Sequence, residues 1–313
     1  MINEINCSSV SEFLDYLLPW KSEDFSSGSI FRGHANADYE LVPTALREAN
    51  ARKLELMCVS SFKVNGASDR TDFAQAFFEY GPIRDFYQLA DTRGLEVPAS
   101  DFIRKHIYKK VDISSLIDWV DGDSWLPNEL LEAAALAQHY GVPTRLLDWT
   151  YDPFVAAFFA SREAAVEAER LCIWSFNIGD NAISHALSYL KSRLRIIHPP
   201  YAGNPNLAAQ RGVFTHVSTP LRDLNSLTKS VAGGVDVSVN RTPLDQYLGE
   251  VFEGAVNGRV EIFKKLTLPV SMRDELYRFL RRFGYGPARI YAGYEGVAKE
   301  IIERELLPRK NSE

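Results

Sequence analysis

Between residues 127 and 178 the chain changes its apolar periodicity several times in quick succession. An Ala- and Leu-rich stretch, 127–139, has helical spacing up to a turn at Gly141, Val142 and Pro143. The next run, RLLDW, is short, apolar and strand-like. Asp152 followed by Pro153 then supplies an N-cap with proline at the first helical position, and PFVAAFFASREAAVEAER reads as an amphipathic helix of about four turns. LCIWSFNI, 171–178, is the next strand. Short strands separated by helices must share a sheet and cover it with those helices, so the fold class expected is α+β, with a mixed or antiparallel central sheet, flanking helices and a helical insertion.

The rest of the chain extends this plan. SSVSEFLDYLL (8–18) has a Ser cap ahead of Val10, Phe13, Leu14, Leu17 and Leu18, the spacing of an opening helix, and SIFRG (29–33) reads as a strand. Residues 44–64, 70–91 and 101–120 have helical periodicity and many aromatics. QRGVFTHV reads as a strand that places Gln210, Gly212, Phe214 and His216 on one face. The segment 219–246 is polar and loop-like, and GRVEIFKKLTLP (258–269) alternates as a strand. Ser271 with Asp274 forms a capping-box start for RDELYRFLRRF, with Gly284 at C′; ARIYA is a last short strand before a helix from about Gly296 to Leu307.

With 313 residues and 46% apolar composition the chain can bury a substantial core. A formal charge of −6 with both signs well mixed argues against strong generic attraction to nucleic acid. The opening segment lacks a basic leader, and no run approaches the roughly 18 apolar residues of a membrane span, so a cytoplasmic protein with no membrane partner is expected. Cys7, Cys58 and Cys172 are odd in number and widely separated, which suggests buried thiols rather than disulfides or zinc ligands.

Two stretches concentrate polar chemistry. In IFRGHANADYELVPTALR (30–47), Arg32 at a strand end precedes Gly33, so a planar five-donor guanidinium sits beside bare backbone, an arrangement suited to phosphate or carboxylate. An Arg that ties down a neighbouring loop explains it equally well. In LAQHYGVPTRLLDWT (136–150), Gln138, His139, Tyr140, Arg145 and Asp148 surround one turn, more polar chemistry than a corner requires, since each is costly to bury without partners. A structural Arg145–Asp148 pair is the plainer alternative. His139 with Asp148 has the composition of an oriented general base. No GxSxG elbow and no HExxH are present, so neither a serine-type triad nor a metal site is expected. Glu295 opens the last helix, where an acidic residue also favours the helix dipole.

These stretches together resemble the FRG domain family, named for its F/Y-R-G tripeptide. The matching segments are Phe31–Gly33 with YELVPTALR, AQHYGVPTRLLDWTYDPFVAAFFA at 137–160, LCIWSF, AQRGVFTH at 209–216, and IYAGYEGVAKEI at 290–301. The resemblance implies an FRG domain over 28–307 with a helical insertion at about 50–130, an N-terminal helical extension at 1–27 and a tail at 308–313. The order of elements is also similar, more loosely, to ADP-ribosyltransferase domains of the Arg-Ser-Glu type. There the strand Arg grips NAD, a small polar triplet shapes the pocket and a later Glu orients the ribose under attack. On this resemblance Arg32 matches the Arg, Asp148-Trp149-Thr150 stands in the triplet's place, and DPFVAAFFA matches the following helix. Gln210 falls where the Glu would come and cannot supply its charge. The likeness implies an intracellular toxin or anti-phage effector acting on a nucleotide-type substrate such as NAD, as transferase or glycohydrolase, with an unidentified macromolecular acceptor. In that reading His139, Asp148 and Glu295 are the catalytic candidates, and Arg32, Gly33, Gln138, Tyr140, Arg145 and Gln210 bind substrate. A noncatalytic nucleotide- or phosphate-binding module, and a nuclease or other hydrolase using His139 and Asp148, are the rival readings.

Overall fold

The computed structural model describes residues 2–21, 28–58, 72–99, 103–104, 124–162, 167–220, 239–253 and 261–306. In chain order the strands are β1 (Ile2–Asn6), β2 (Ser29–His34), β3 (Ser124–Trp125), β4 (Leu147–Thr150), β5 (Arg170–Asn177), β6 (Leu194–Ile197), β7 (Gly212–Val217), β8 (Thr219–Pro220) and β9 (Phe263–Pro269). The α-helices are α1 (Val10–Leu17), α2 (Ala51–Met57), α3 (Asp72–Thr92), α4 (Asn128–His139), α5 (Pro153–Arg162), α6 (Asn181–Tyr189), α7 (Pro205–Ala209), α8 (Leu244–Glu253), α9 (Arg273–Arg282), α10 (Pro287–Ile290) and α11 (Tyr294–Leu306).

Seven strands form one mixed sheet in the order β1-β9-β5-β2-β4-β7-β6, and β3 pairs with β8 in a separate two-stranded ribbon. The β1–β9 pairing is parallel and every other neighbour pair in the large sheet is antiparallel. Helices α1, α5 and α9 cover one face, packing Phe13, Leu17, Ala156, Phe158, Leu276 and Leu280 against Phe31, Ile173 and Leu266. On the other face Ile183 of α6 and Leu244, Leu248 and Phe252 of α8 meet Ile30, Trp174, Phe176 and Phe263. Helices α2, α3 and α4 form a third layer over Leu146, Ile197 and Phe214. Cover on both faces explains why β5 is apolar almost throughout instead of alternating.

Local chemistry accounts for most boundaries. Ser9 caps α1 by accepting from the Glu12 N–H, and Glu12 reaches back to the Ser8 N–H. Asp152 accepts from the Phe154 N–H at 3.0 Å to start α5. Helices α4 and α9 both end with a left-handed glycine, Gly141 at φ 88° and Gly284 at φ 81°. In each, the next N–H returns to the helix: Val142 to the Ala137 carbonyl at 3.0 Å, Tyr285 to the Leu280 carbonyl at 2.9 Å.

Other expectations are corrected. ARIYA is not a strand: Pro287 fits the first helical position, and 287–290 form the short helix α10. Ser271 does not cap α9, because the chain enters through a 3-10 turn at 270–272 and Ser271 lies inside it. Gln210 lies outside β7, which begins at Gly212 after Arg211 turns the chain at a positive φ of 48°. β1 precedes α1 and forms an edge of the main sheet, where the sequence pattern predicts no strand. Helices α6 and α8 and strand β6 are likewise absent from that pattern. The helix expected at 101–120, the second part of that expected at 44–64, most of the polar segment 219–246 and the tail fall largely or wholly outside the described residues.

Candidate functional site

At the centre of the sheet, β2 is fully paired to β5 from Ser29 to His34, yet it meets β4 at one register position only, Phe31 opposite Thr150. The ladder has no further pair, and the polar groups gather beside it. Arg32 donates from Nη1 to the Asp148 carbonyl at 2.7 Å, and the same nitrogen lies 3.6 Å from Asp148 Oδ2. Its Nε donates to His34 Nε2 at 2.9 Å. Since a guanidinium only donates, Nε2 must be unprotonated. The ring proton therefore sits on Nδ1, 3.2 Å from the Tyr39 carbonyl. Burial first, then Arg32, Arg47 and Lys265, hold the His34 pKa well below the ordinary imidazole range. His34 thus orients Arg32 as a neutral acceptor.

Asp148 is held from the other side. Its carboxylate accepts from Gln138 Nε2, and Gln138 Oε1 accepts from the Thr144 hydroxyl. Thr144 Oγ1 in turn accepts from the Leu146 N–H at 3.2 Å. The Gly141 turn is what brings Gln138, at the end of α4, back over the start of β4. The result is a continuous chain from Tyr39 through His34, Arg32, Asp148 and Gln138 to Thr144. The Asp148 side chain remains 54% exposed, against 15% for Arg32. A partly buried clamp therefore presents an accessible carboxylate.

His139, the last residue of α4, is half-buried. Burial lowers its pKa, and the charge of Asp148 opposes that shift. Tyr140 is exposed and stacks on Phe86 with ring centroids 6.1 Å apart. Gly33 serves packing: a Cβ there would lie 1.9 Å from the Ala156 carbonyl oxygen, so only glycine lets α5 sit this close to β2.

The remaining candidates lie apart from this network. Arg145 is buried and donates from Nε to Glu79 Oε2 at 2.7 Å and from Nη1 to Thr219 Oγ1 at 2.5 Å. Glu79 also accepts from Trp125 Nε1 at 2.7 Å and from Gln75 Nε2 at 2.8 Å. Gln210 ties loops together, its carbonyl accepting from Thr150 Oγ1 at 2.6 Å and its amide donating to the Ile290 carbonyl at 3.2 Å. Glu295 pairs with Lys299 one turn along exposed α11, at 2.6 Å.

His34 and Glu79 hold these two networks together and are not among the sequence-predicted site residues. The first signal was available: residues two apart on a strand share a face, so His34 had to accompany Arg32. The second was the lone acid in the aromatic run AFFEY, which must be paired if that helix is buried.

Among the described residues no group of three or more His, Cys, Asp or Glu side chains is arranged to hold a metal ion, and no helix is long and apolar enough to cross a membrane. The FRG domain family model matches residues 99–169, the stretch that carries α4, the Gly141 turn, β4 and α5. The chain thus contains an FRG domain, and Gln138, Thr144 and Asp148 of the polar network come from the matched segment. No curated protein and no solved structure matches the chain.

Proposed function

We propose that the chain acts on a nucleotide-type substrate at the opening between β2 and β4, as an ADP-ribosyltransferase-like or NAD glycohydrolase-like enzyme. The observation that carries the reading is the Arg32–Asp148 arrangement: a guanidinium fixed by His34 beside a carboxylate that stays half-exposed. A planar cation suits a diphosphate, and the adjacent carboxylate suits the positive charge that develops on ribose as the glycosidic bond to nicotinamide breaks. Asp148 is the preferred acid over Glu295 because it lies beside Arg32, whereas Glu295 pairs with Lys299 on the exposed surface of α11. His139, held toward its neutral form by burial, is suited to accept a proton from the attacking water or acceptor. Tyr140 offers an exposed ring for a base to stack on. In the cell this reading corresponds to a toxin or anti-phage effector.

A second reading, a nucleotide- or phosphate-binding module without turnover, is favoured by one observation. The Asp148 carboxylate already accepts from Gln138 and faces Arg32, so it is occupied before any ligand arrives. Incubating the pure protein with NAD and cell extract, followed by mass spectrometry, separates the two. The enzyme reading expects nicotinamide release, with or without a modified macromolecule, abolished in Arg32→Lys and Asp148→Asn. NAD or ADP-ribose bound without nicotinamide release would replace it with the binding module, and cleaved nucleic acid without NAD consumption would replace it with a nuclease.

A further inference from the structure

The last helix, α11, is amphipathic in reverse. A surface helix ordinarily turns its apolar stripe to the core and its charges to water. In α11 the inward side is polar. Glu300 accepts from Arg281 of α9 and from the Ala288 N–H, and Glu303 accepts from Arg162 Nε at 3.2 Å and from the Tyr277 hydroxyl. The Lys299 ammonium lies 4.2 Å from the centre of the Tyr291 ring. Gly296 completes that side, because a Cβ there would lie 1.9 Å from the Tyr291 carbonyl oxygen. These contacts fix the rotation of the helix, so the opposite stripe cannot roll inward without breaking two partly buried ion pairs.

That outward stripe is apolar. Tyr294, Val297, Ile301 and Ile302 recur at the three- and four-residue spacing of one helix face, with Ala298 among them. Tyr294 is 95% exposed, and the other three large residues are about half exposed or more. Together they present roughly 500 Å² of apolar surface, toward the upper end of the largest patch on an ordinary monomer.

The stripe is also complementary to itself. Tyr294 and Ile302 lie four residues on either side of Ala298, the small residue at its middle. An antiparallel copy crossing at Ala298 therefore sets each Tyr294 against the partner's Ile302. The same two-fold rotation keeps the Glu295 and Lys299 edges of both helices on one side and brings Glu295 beside the partner's Lys299. A parallel pairing would set like charges together instead. Two such stripes bury about 1,000 Å² in all, the size at which a specific interface begins.

We propose that α11 is the contact of a two-fold dimer, in which a second copy of this chain packs antiparallel across Ala298. The inference is independent of the reading given for Arg32 and Asp148, neither of which lies on α11.

Sedimentation equilibrium of the full chain over a range of concentrations tests the proposal. A reversible monomer–dimer equilibrium is expected, with the dimer dominant by about 100 µM, a modest affinity that suits so small an interface. Ile301→Glu, a change on the solvent side, should raise the dimer dissociation constant at least about tenfold and leave the melting temperature of the dilute protein within about 2 °C of wild type. Tyr294→Lys and Ile302→Glu should each weaken the dimer. The double variant should dimerise at least about threefold more tightly than either, because its opposite charges meet across the two-fold axis. A chain that stays monomeric at about 100 µM, or a dimer that Ile301→Glu leaves unchanged, overturns the proposal. A double variant no tighter than the single ones overturns the antiparallel crossing. A monomer that pellets with vesicles of phosphatidylcholine and phosphatidylglycerol assigns the stripe to a membrane surface and overturns the dimer.

Discussion

Two Arg–carboxylate pairs flank the same helix–turn–strand segment, and they differ in nearly every physical respect. The Arg145 and Glu79 side chains are each 1% exposed and join the layer of α3 to the start of β4. Arg32 and Asp148 lie at the opening between β2 and β4, with Asp148 half in solvent. The buried pair is fully desolvated, so its charges depend on each other and on Trp125 and Gln75. The open pair is screened and contributes little to stability. Arg145 and Asp148 are near neighbours in the chain, yet one belongs to a cluster that secures the fold and the other to a cluster that leaves a carboxylate within reach of a ligand.

The largest expected effect comes from breaking the buried pair. Glu79→Ala leaves the Arg145 charge, the Trp125 N–H and the Gln75 amide without their shared acceptor, and should cost about 3–5 kcal/mol. Chemical denaturation of this variant beside Asp148→Asn measures the contrast directly. Equal losses in the two variants would erase the distinction between a structural and an open pair. Gly33→Ala should come next, at roughly 1–3 kcal/mol, because the new methyl group meets the α5 backbone and not a movable side chain. An unchanged unfolding midpoint would show that α5 can move away from β2 without penalty.

Much of this is legible in the sequence, for identifiable reasons. Helix termini carry their signals within a few residues, so Asp152-Pro153 and Gly284 mark the start of α5 and the end of α9 correctly. The polar density around Gly141 likewise marks a corner whose side chains are tied into a network. Long-range partnership is not legible: the sequence offers Asp148 to Arg145, three residues away, whereas its partner Glu79 is 66 residues distant. Nothing local distinguishes those choices, since the answer depends on where α3 packs. The parallel pairing of β1 with β9 is hidden for the same reason, with Ile2 opposite Phe263 across almost the whole chain.

A pH series adds a test in which both regions contribute. His34 in the open network and His216 in the buried layer are both held well below the ordinary imidazole range. Burial is the main cause for each, followed by Arg32, Arg47 and Lys265 for His34 and by Arg195 and Arg145 for His216. The folded state therefore binds fewer protons than the unfolded chain once pH drops below the ordinary histidine value. Stability should be greatest above about pH 6.5 and fall by roughly 1 kcal/mol per pH unit for each histidine as pH decreases below it. His34→Gln, which can still accept from Arg32, should remove part of that dependence and leave the share of His216 and of the half-buried His139. A pH profile identical to wild type would mean that His34 titrates normally and does not hold Arg32 as a neutral acceptor.

The smallest effect concerns His139, and it tests whether the ring belongs to the open pair at all. Two influences act on it in opposite directions: burial lowers its pKa and the Asp148 carboxylate raises it. Asp148→Asn removes the second and leaves the first, so the His139 pKa should fall further, without a comparable change at His216, whose environment contains Arg195 and Arg145 instead. NMR titration of the imidazole signals in wild type and variant reads this shift residue by residue. The measurement does not depend on turnover, so it remains informative whether the chain is an enzyme or a binding module. A His139 pKa that does not move would detach the ring from Asp148 and leave it as a helix-end residue, with Arg32 and Asp148 forming the open pair on their own.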